Sequence, residues 1–258
     1  MTGPAGVSAL VLAETVVGGL AILYLSPLWG EVKRGFFTLT TGILAALAFG
    51  AWGSARAGAV VGDVDGERAV TVALAVAVAT GLATLAYLLR RPAVGRLIGF
   101  ASVALGVVLL AALAATGEAG FVVAALQLAA GAAFLGAVLD GLLLGHWYLT
   151  DRRLTRRPIL RATMTLGVGV VLEAAAIAIG GFGPTSSSQA FNPLLTSAGL
   201  ASWIALGMVG TTGLVAVFVR ATLRGERPSA VQAATGFLYL AVITALTAEF
   251  AAKVRFLP

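Results

Sequence analysis

An all-α, polytopic membrane bundle of about eight transmembrane helices is the fold class this sequence predicts, and three observations carry the prediction. Of 258 residues, 59% are hydrophobic and 11% charged, with a mean hydropathy of +1.00, whereas charged residues make up about 25% of a soluble domain. Eight stretches each supply the roughly 20 apolar residues that a hydrocarbon core of about 30 Å requires. Basic residues gather on every second connection between these stretches. A water-soluble fold is thereby excluded, and the eight spans read as one transmembrane domain over residues 1–258.

The first span is drawn over 7–28. Met1 to Ser8 carries no basic stretch, and the apolar run continues past Glu14 without an Ala-x-Ala site, so it reads as a retained helix and not a signal peptide. The second span, 36–55, follows Lys33 and Arg34. Before the third, 69–89, the run Asp63-Val64-Asp65-Gly66-Glu67 lacks the later ligands of a calcium loop and reads as an acidic turn. The fourth, 95–116, opens after Arg90, Arg91 and Pro92. The fifth, 120–147, closes on His146-Trp147-Tyr148 and leads into an arginine-rich connection. The sixth, 160–182, the seventh, 194–219, and the eighth, 229–250, complete the set, with Pro158, Pro184, Pro193 and Pro228 at their margins, where a missing backbone donor is tolerated.

Thirteen of the seventeen Lys and Arg residues lie on the first, third, fifth and seventh connections, so that side is expected to be cytoplasmic and both termini to lie outside. The formal charge of +6 and pI near 10.5 therefore speak of orientation in a bilayer and not of nucleic acid. Arginine outnumbers lysine fifteen to two, which, with the abundant alanine and glycine, suggests a GC-rich prokaryotic genome and a multi-pass protein of the inner (cytoplasmic) membrane. Gly141-x-x-x-Gly145, with Gly207, Gly210 and Gly213, fits close helix packing. A 4+4 parallel repeat is suggested by Thr80-Gly81-Leu82 and Gly99-Phe100 in one half against Thr212-Gly213-Leu214 and Gly236-Phe237 in the other.

Ionisable groups at membrane depth are costly and mark candidate sites. Glu14, Gln127 and Glu173 fall at similar depths, about 10 Å below the outer ends of their spans, and the small residues Gly18, Gly169, Ala176 and Gly180 share the faces of the two acids. The three are expected to surround one outward cavity. Asp140 lies toward the cytoplasmic end of the fifth span, with His146 about 120° away around the same helix. His146, Trp147 and Tyr148, with Arg152 and Arg153 beyond them, have the character of a quinone or lipid-headgroup contact at the interface. Glu249 and Lys253, one turn apart, read as a surface ion pair.

With no cysteine, thiolate metal sites and disulfides formed by this chain are excluded. One histidine does not complete the pair that commonly holds a haem b between helices, so no haem is expected on this chain alone and quinone is the expected cofactor class. No catalytic constellation is recognisable. The expected function is that of a membrane-embedded subunit of a respiratory or redox complex, contributing a quinone or proton site while partner chains hold the redox centres. The alternative is a small stand-alone proton- or ion-coupled transporter.

Overall fold

The computed structural model describes residues 1–26, 31–117, 120–151, 153–182, 200–225, 229–254 and 256. Among them the chain forms eight helices and no strand: α1 Gly3–Leu25, α2 Arg34–Gly58, α3 Val64–Leu88, α4 Pro92–Ala114, α5 Phe121–Thr150, α6 Arg157–Gly180, α7 Leu200–Leu223 and α8 Ala230–Lys253. All eight are long and apolar enough to cross a membrane, and the protein is a multi-pass helical membrane protein. The physical reason is that hydrocarbon offers no partner to backbone N–H and C=O groups, so each span must satisfy them within itself. Large side chains such as Leu97, Val107, Val171 and Ile243 stand exposed on the outside of the bundle; in a bilayer they meet acyl chains.

The helices overrun the hydropathy-drawn spans where polar residues continue the helix. α2 extends through Arg56, α5 through His146-Trp147-Tyr148, and α8 through Glu249 to Lys253. Residues 194–199 of the predicted seventh span and the loop at 185–189 lie outside the described residues. Asp63, expected in an acidic turn, is the N-cap of α3 and accepts from the Asp65 N–H at 3.2 Å. Its carboxyl is held below the ordinary aspartate range by the Gly66 backbone N–H, and further by the Met1 ammonium 3.4 Å away.

Most described arginine-rich connections meet at one end of the bundle, called the basic end below. There Lys33 Nζ lies 2.8 Å from Asp151 Oδ2, Arg161 reaches Glu31 at 2.5 Å, and Arg156 donates to the carbonyls of Leu223 and Gly225. The Lys33 hydrogen bond and charge hold the Asp151 carboxyl below its ordinary range. Since the folded value is depressed, this contact contributes stability above the ordinary aspartate pKa and loses it as pH falls through the folded value. At the opposite end the Thr2 N–H donates to the Gly58 carbonyl at 2.9 Å and Phe256 packs against Gly117.

Within α1–α4, contacts run α1 to α2, α2 to α3, α3 to α4 and back to α1; within α5–α8 they run in the same order, α5 to α6 to α7 to α8 and back to α5. A parallel duplication would have this pattern. The paired glycines nevertheless sit in different surroundings, for Gly99 lies under the Tyr24 ring while Gly236 faces open space.

The halves meet chiefly where α1 crosses α5. A Cβ on Gly18 would run into the Ala132 carbonyl, and one on Gly136 into the Gly18 backbone, so the two main chains touch as only glycine allows. Gly169 brings α6 onto the Phe134 backbone in the same way. The expectation for span seven needs correction: Gly207 and Gly210 have nothing within 4 Å of a Cβ, and only Gly213, against Val170, packs closely. Gly141 meets Leu238 and Gly145 meets Thr235, so that pair does face a neighbouring helix.

Candidate functional site

The close α1–α5 crossing carries Glu14 into the protein interior beside Gly131, whose missing side chain leaves room for the Glu14 carboxyl. From α8, Lys253 extends its ammonium to 2.8 Å from Glu14 Oε1 and 3.2 Å from Glu249 Oε2. It also donates to the Gln127 backbone carbonyl at 3.5 Å. Glu173, from α6, lies close enough to Glu249 and Lys253 to feel the charge of both. Glu14 and Glu249 are 0% exposed, Glu173 1% and Lys253 2%.

This arrangement corrects the reading of Glu249 and Lys253 as a surface pair. Their i,i+4 spacing is as expected, but α8 continues to Lys253 and packs on α5 and α1, which removes both groups from solvent. The sequence carried a signal: an acid and one of only two lysines in the chain, one turn apart at the end of an apolar span. Glu14 also lies deeper than its predicted 10 Å, about 16 Å from the helix start, because α1 begins at Gly3. The length of the lysine side chain bridges the difference in depth.

A small cavity of ≈ 70 Å³ adjoins the cluster, lined by Gln127, Glu173, Gly180, Ser202, Lys253 and Phe256 among others. It has room for water, given that one probe sphere occupies about 10–15 Å³, and Glu173 and Lys253 are the charged groups on its wall. Gln127 enters it because Gly180 has no side chain to block the amide. Glu14, Gln127 and Glu173 are thus gathered around Lys253, with Glu249 as a fourth polar partner that the sequence reading did not place there.

The electrostatics are unbalanced. Among the described residues three carboxyls face one ammonium, and Glu249 Oε1 and Glu173 Oε2 are buried without a hydrogen-bond partner. Uncompensated buried charge costs several kcal/mol or more. One carboxylate is neutralised by Lys253; the other two are stable there as neutral acids or beside an additional cation. The ammonium already stands between Glu14 and Glu249, and among the described residues no group of three His, Cys, Asp or Glu side chains is set to hold a metal ion.

Asp140 stands apart from this cluster, on the stretch of α5 nearer the basic end, 4% exposed and with both carboxyl oxygens lacking a partner. The His146-Trp147-Tyr148 string diverges into three directions. His146 is exposed and its Nε2 lies 3.0 Å from the Tyr239 hydroxyl on α8. Trp147 turns to α2, against Phe36 and Gly35. Tyr148 is buried and donates to the Thr155 carbonyl, beside a cavity of ≈ 520 Å³ shared with Arg156 and Gln232. Arg153 is exposed in the following turn, and Arg152 lies outside the described residues. Of His146, Trp147, Tyr148 and Arg153, only Tyr148 lines that cavity.

Comparison with protein-family models, with curated proteins and with solved structures finds no match to this chain.

Proposed function

We propose that this chain exchanges protons at the Glu14–Glu173–Glu249–Lys253 cluster, as a membrane-embedded subunit of a respiratory or other redox complex whose partner chains hold the redox centres. The observation that carries the reading is the excess of carboxyls over cations, among the described residues, in a buried, water-sized site. Lys253 balances one negative charge; a proton released from a second carboxyl leaves a buried charge, which the water-sized cavity beside Glu173 is placed to solvate. Glu173, on the cavity wall, is the acceptor from water. Glu249 and Glu14 lie behind it. The membrane is the cytoplasmic membrane of a prokaryote, with the basic end inside.

Infrared difference spectra after a pH jump provide the test. The reconstituted protein is expected to show a buried carboxylic C=O band that titrates, and Glu173→Gln is expected to remove most of its amplitude. Spectra in which neither Glu173→Gln nor Glu249→Gln alters any titrating band would end the proposal.

A second reading, a stand-alone proton-coupled carrier, is favoured by one observation: the site lies at the seam between two four-helix halves with the same contact order, a placement familiar among transporters built from repeats. Liposomes holding this chain alone and a trapped pH dye separate the two. A potential-driven proton flux abolished by Glu173→Gln supports the carrier; silence in that assay together with the titrating band supports the subunit.

Orientation is checked without background removal because the chain has no cysteine. A single cysteine at Thr2 is expected to react with an impermeant maleimide in intact cells, and one at Lys33 only after lysis. The reverse pattern would place the proton site on the cytoplasmic side.

A further inference from the structure

We infer that the cleft between α1 and α6 binds a lipid-soluble hydroquinone whose ring hydroxyl donates to the Asp140 carboxyl. This rests on the redox-complex reading above and assigns it a ligand site separate from the glutamate–lysine cluster. Both α1 and α6 pack along α5, leaving a trough over it. Two adjoining cavities of ≈ 470 and ≈ 460 Å³ share Ile22, Ser26, Thr165 and Val168 and together fill that trough. Each is within the range of about 300–1,000 Å³ usual for small-molecule sites.

The shape and lining select the ligand. Met164 and Val168, on the rim, are 52% and 59% exposed on the outer face of the bundle, so the trough opens sideways to acyl chains and is reached by a molecule dissolved in the bilayer. Its floor is kept shallow in side chains by Gly18, Ala132, Ala133 and Gly169, which leaves space for an apolar tail along α5. Asp140 from α5 and Ser26 just beyond α1 line the trough, and the Asp140 carboxyl and the Ser26 hydroxyl, buried just behind its wall, have no hydrogen-bond partner among the described residues. Arg161, also on the wall, is engaged by Glu31.

An acid buried in an apolar wall with no partner is costly unless it gains a donor. A hydroquinone ring supplies a hydroxyl to Asp140, accepts at its other oxygen from Ser26, and carries no charge to repel a carboxyl. A phospholipid headgroup would instead bring a phosphate toward Asp140, with the nearby guanidinium already paired.

The test uses the full chain in nanodiscs and a decyl-substituted benzohydroquinone, read by quenching of tryptophan fluorescence. Saturable binding is expected for the natural chain and a weakening of about tenfold or more in Asp140→Leu, with Asp140→Asn, which keeps a carbonyl acceptor, weakened less. Val168→Phe lies on the lipid-facing rim, leaves the core untouched and is expected to block the trough, so it keeps the test open if Asp140→Leu fails to fold. Saturable binding unchanged in both Asp140→Leu and Val168→Phe would overturn the inference. So would absence of binding by the natural chain, or native mass spectra showing a retained phospholipid that the hydroquinone does not displace. The titrating carboxyl band of the glutamate cluster is expected to persist in Val168→Phe, so loss of ligand binding and failure of the proton-site reading are told apart.

Discussion

Replacing Lys253 with methionine is expected to destabilise the protein by about 3–5 kcal/mol, the usual cost of removing one partner from a buried ion pair. Methionine retains much of the lysine stem, so the packing of α8 changes little and the loss is electrostatic. What remains is Glu14 and Glu249 without the ammonium that stands 2.8 and 3.2 Å from them, in a site where neither is exposed. The measurement is reversible unfolding in mixed detergent micelles, compared with Glu14→Gln and with the double variant. Because Glu14→Gln removes one of the stranded carboxylates, the double variant is expected to be more stable than Lys253→Met alone. A Lys253→Met protein as stable as the natural one would mean that the cluster is solvated in the membrane, and the charge argument for proton exchange would fall with it.

The second large effect is steric. Gly136→Val is expected to cost about 3 kcal/mol or more, at or above the upper end for overpacked cores, and to reduce the yield of folded protein. At Gly136 even a methyl group would overlap the Gly18 backbone; neither main chain can move aside without separating α1 from α5. That separation would also withdraw Glu14 from Lys253. Gly167→Ala and Gly207→Ala, where nothing lies within 4 Å of the added carbon, serve as controls and are expected to leave stability unchanged or to raise it by up to about 1 kcal/mol through helix propensity. Equal tolerance at Gly136 and Gly167 would show that the α1–α5 crossing is looser than described.

The two predictions bear on one mechanism from different sides. Glycine backbone contact at Gly18 and Gly136 sets how deeply α1 beds against α5; that depth decides whether the Glu14 carboxyl reaches the space beside Gly131 and so the ammonium of Lys253. The proposed proton site is therefore a consequence of helix packing as much as of acid placement, and Gly136→Val is expected to diminish the titrating carboxyl band in whatever fraction still folds.

Several features were readable without any fold. The number and length of the spans follow from local composition, since each helix must satisfy its own backbone in hydrocarbon, and the eight helices appear where the apolar runs predicted them. Gln127 and Glu173 were recognisable as a pair because depth along a helix is a matter of counting residues at a fixed rise; Glu14, counted from a helix that begins at Gly3, lies deeper than its sequence-drawn span placed it, and Lys253 reaches it across that difference. Even the bond of interest between Glu249 and Lys253 was visible as an i,i+4 pair.

What the tertiary structure alone decided is which helix faces meet. Span count and depth leave rotation about each axis free, and that rotation is settled by side-chain and glycine contacts between residues far apart in the chain. Hence the ion pair expected at the surface is buried: only the packing of α8 on α1 and α5 takes Lys253 out of water and sets it between Glu14 and Glu249. Hence also Gly207 and Gly210, small residues like those at the crossings, face outward, while Gly18 and Gly136 join the halves. His146, Trp147 and Tyr148, adjacent in sequence, point to three different neighbours because successive helical residues are about 100° apart, whereas Asp140 and Ser26, distant in sequence, line one trough. Local chemistry determined the helices and their depths; the short-range fit of one helix surface into another determined the sites between them.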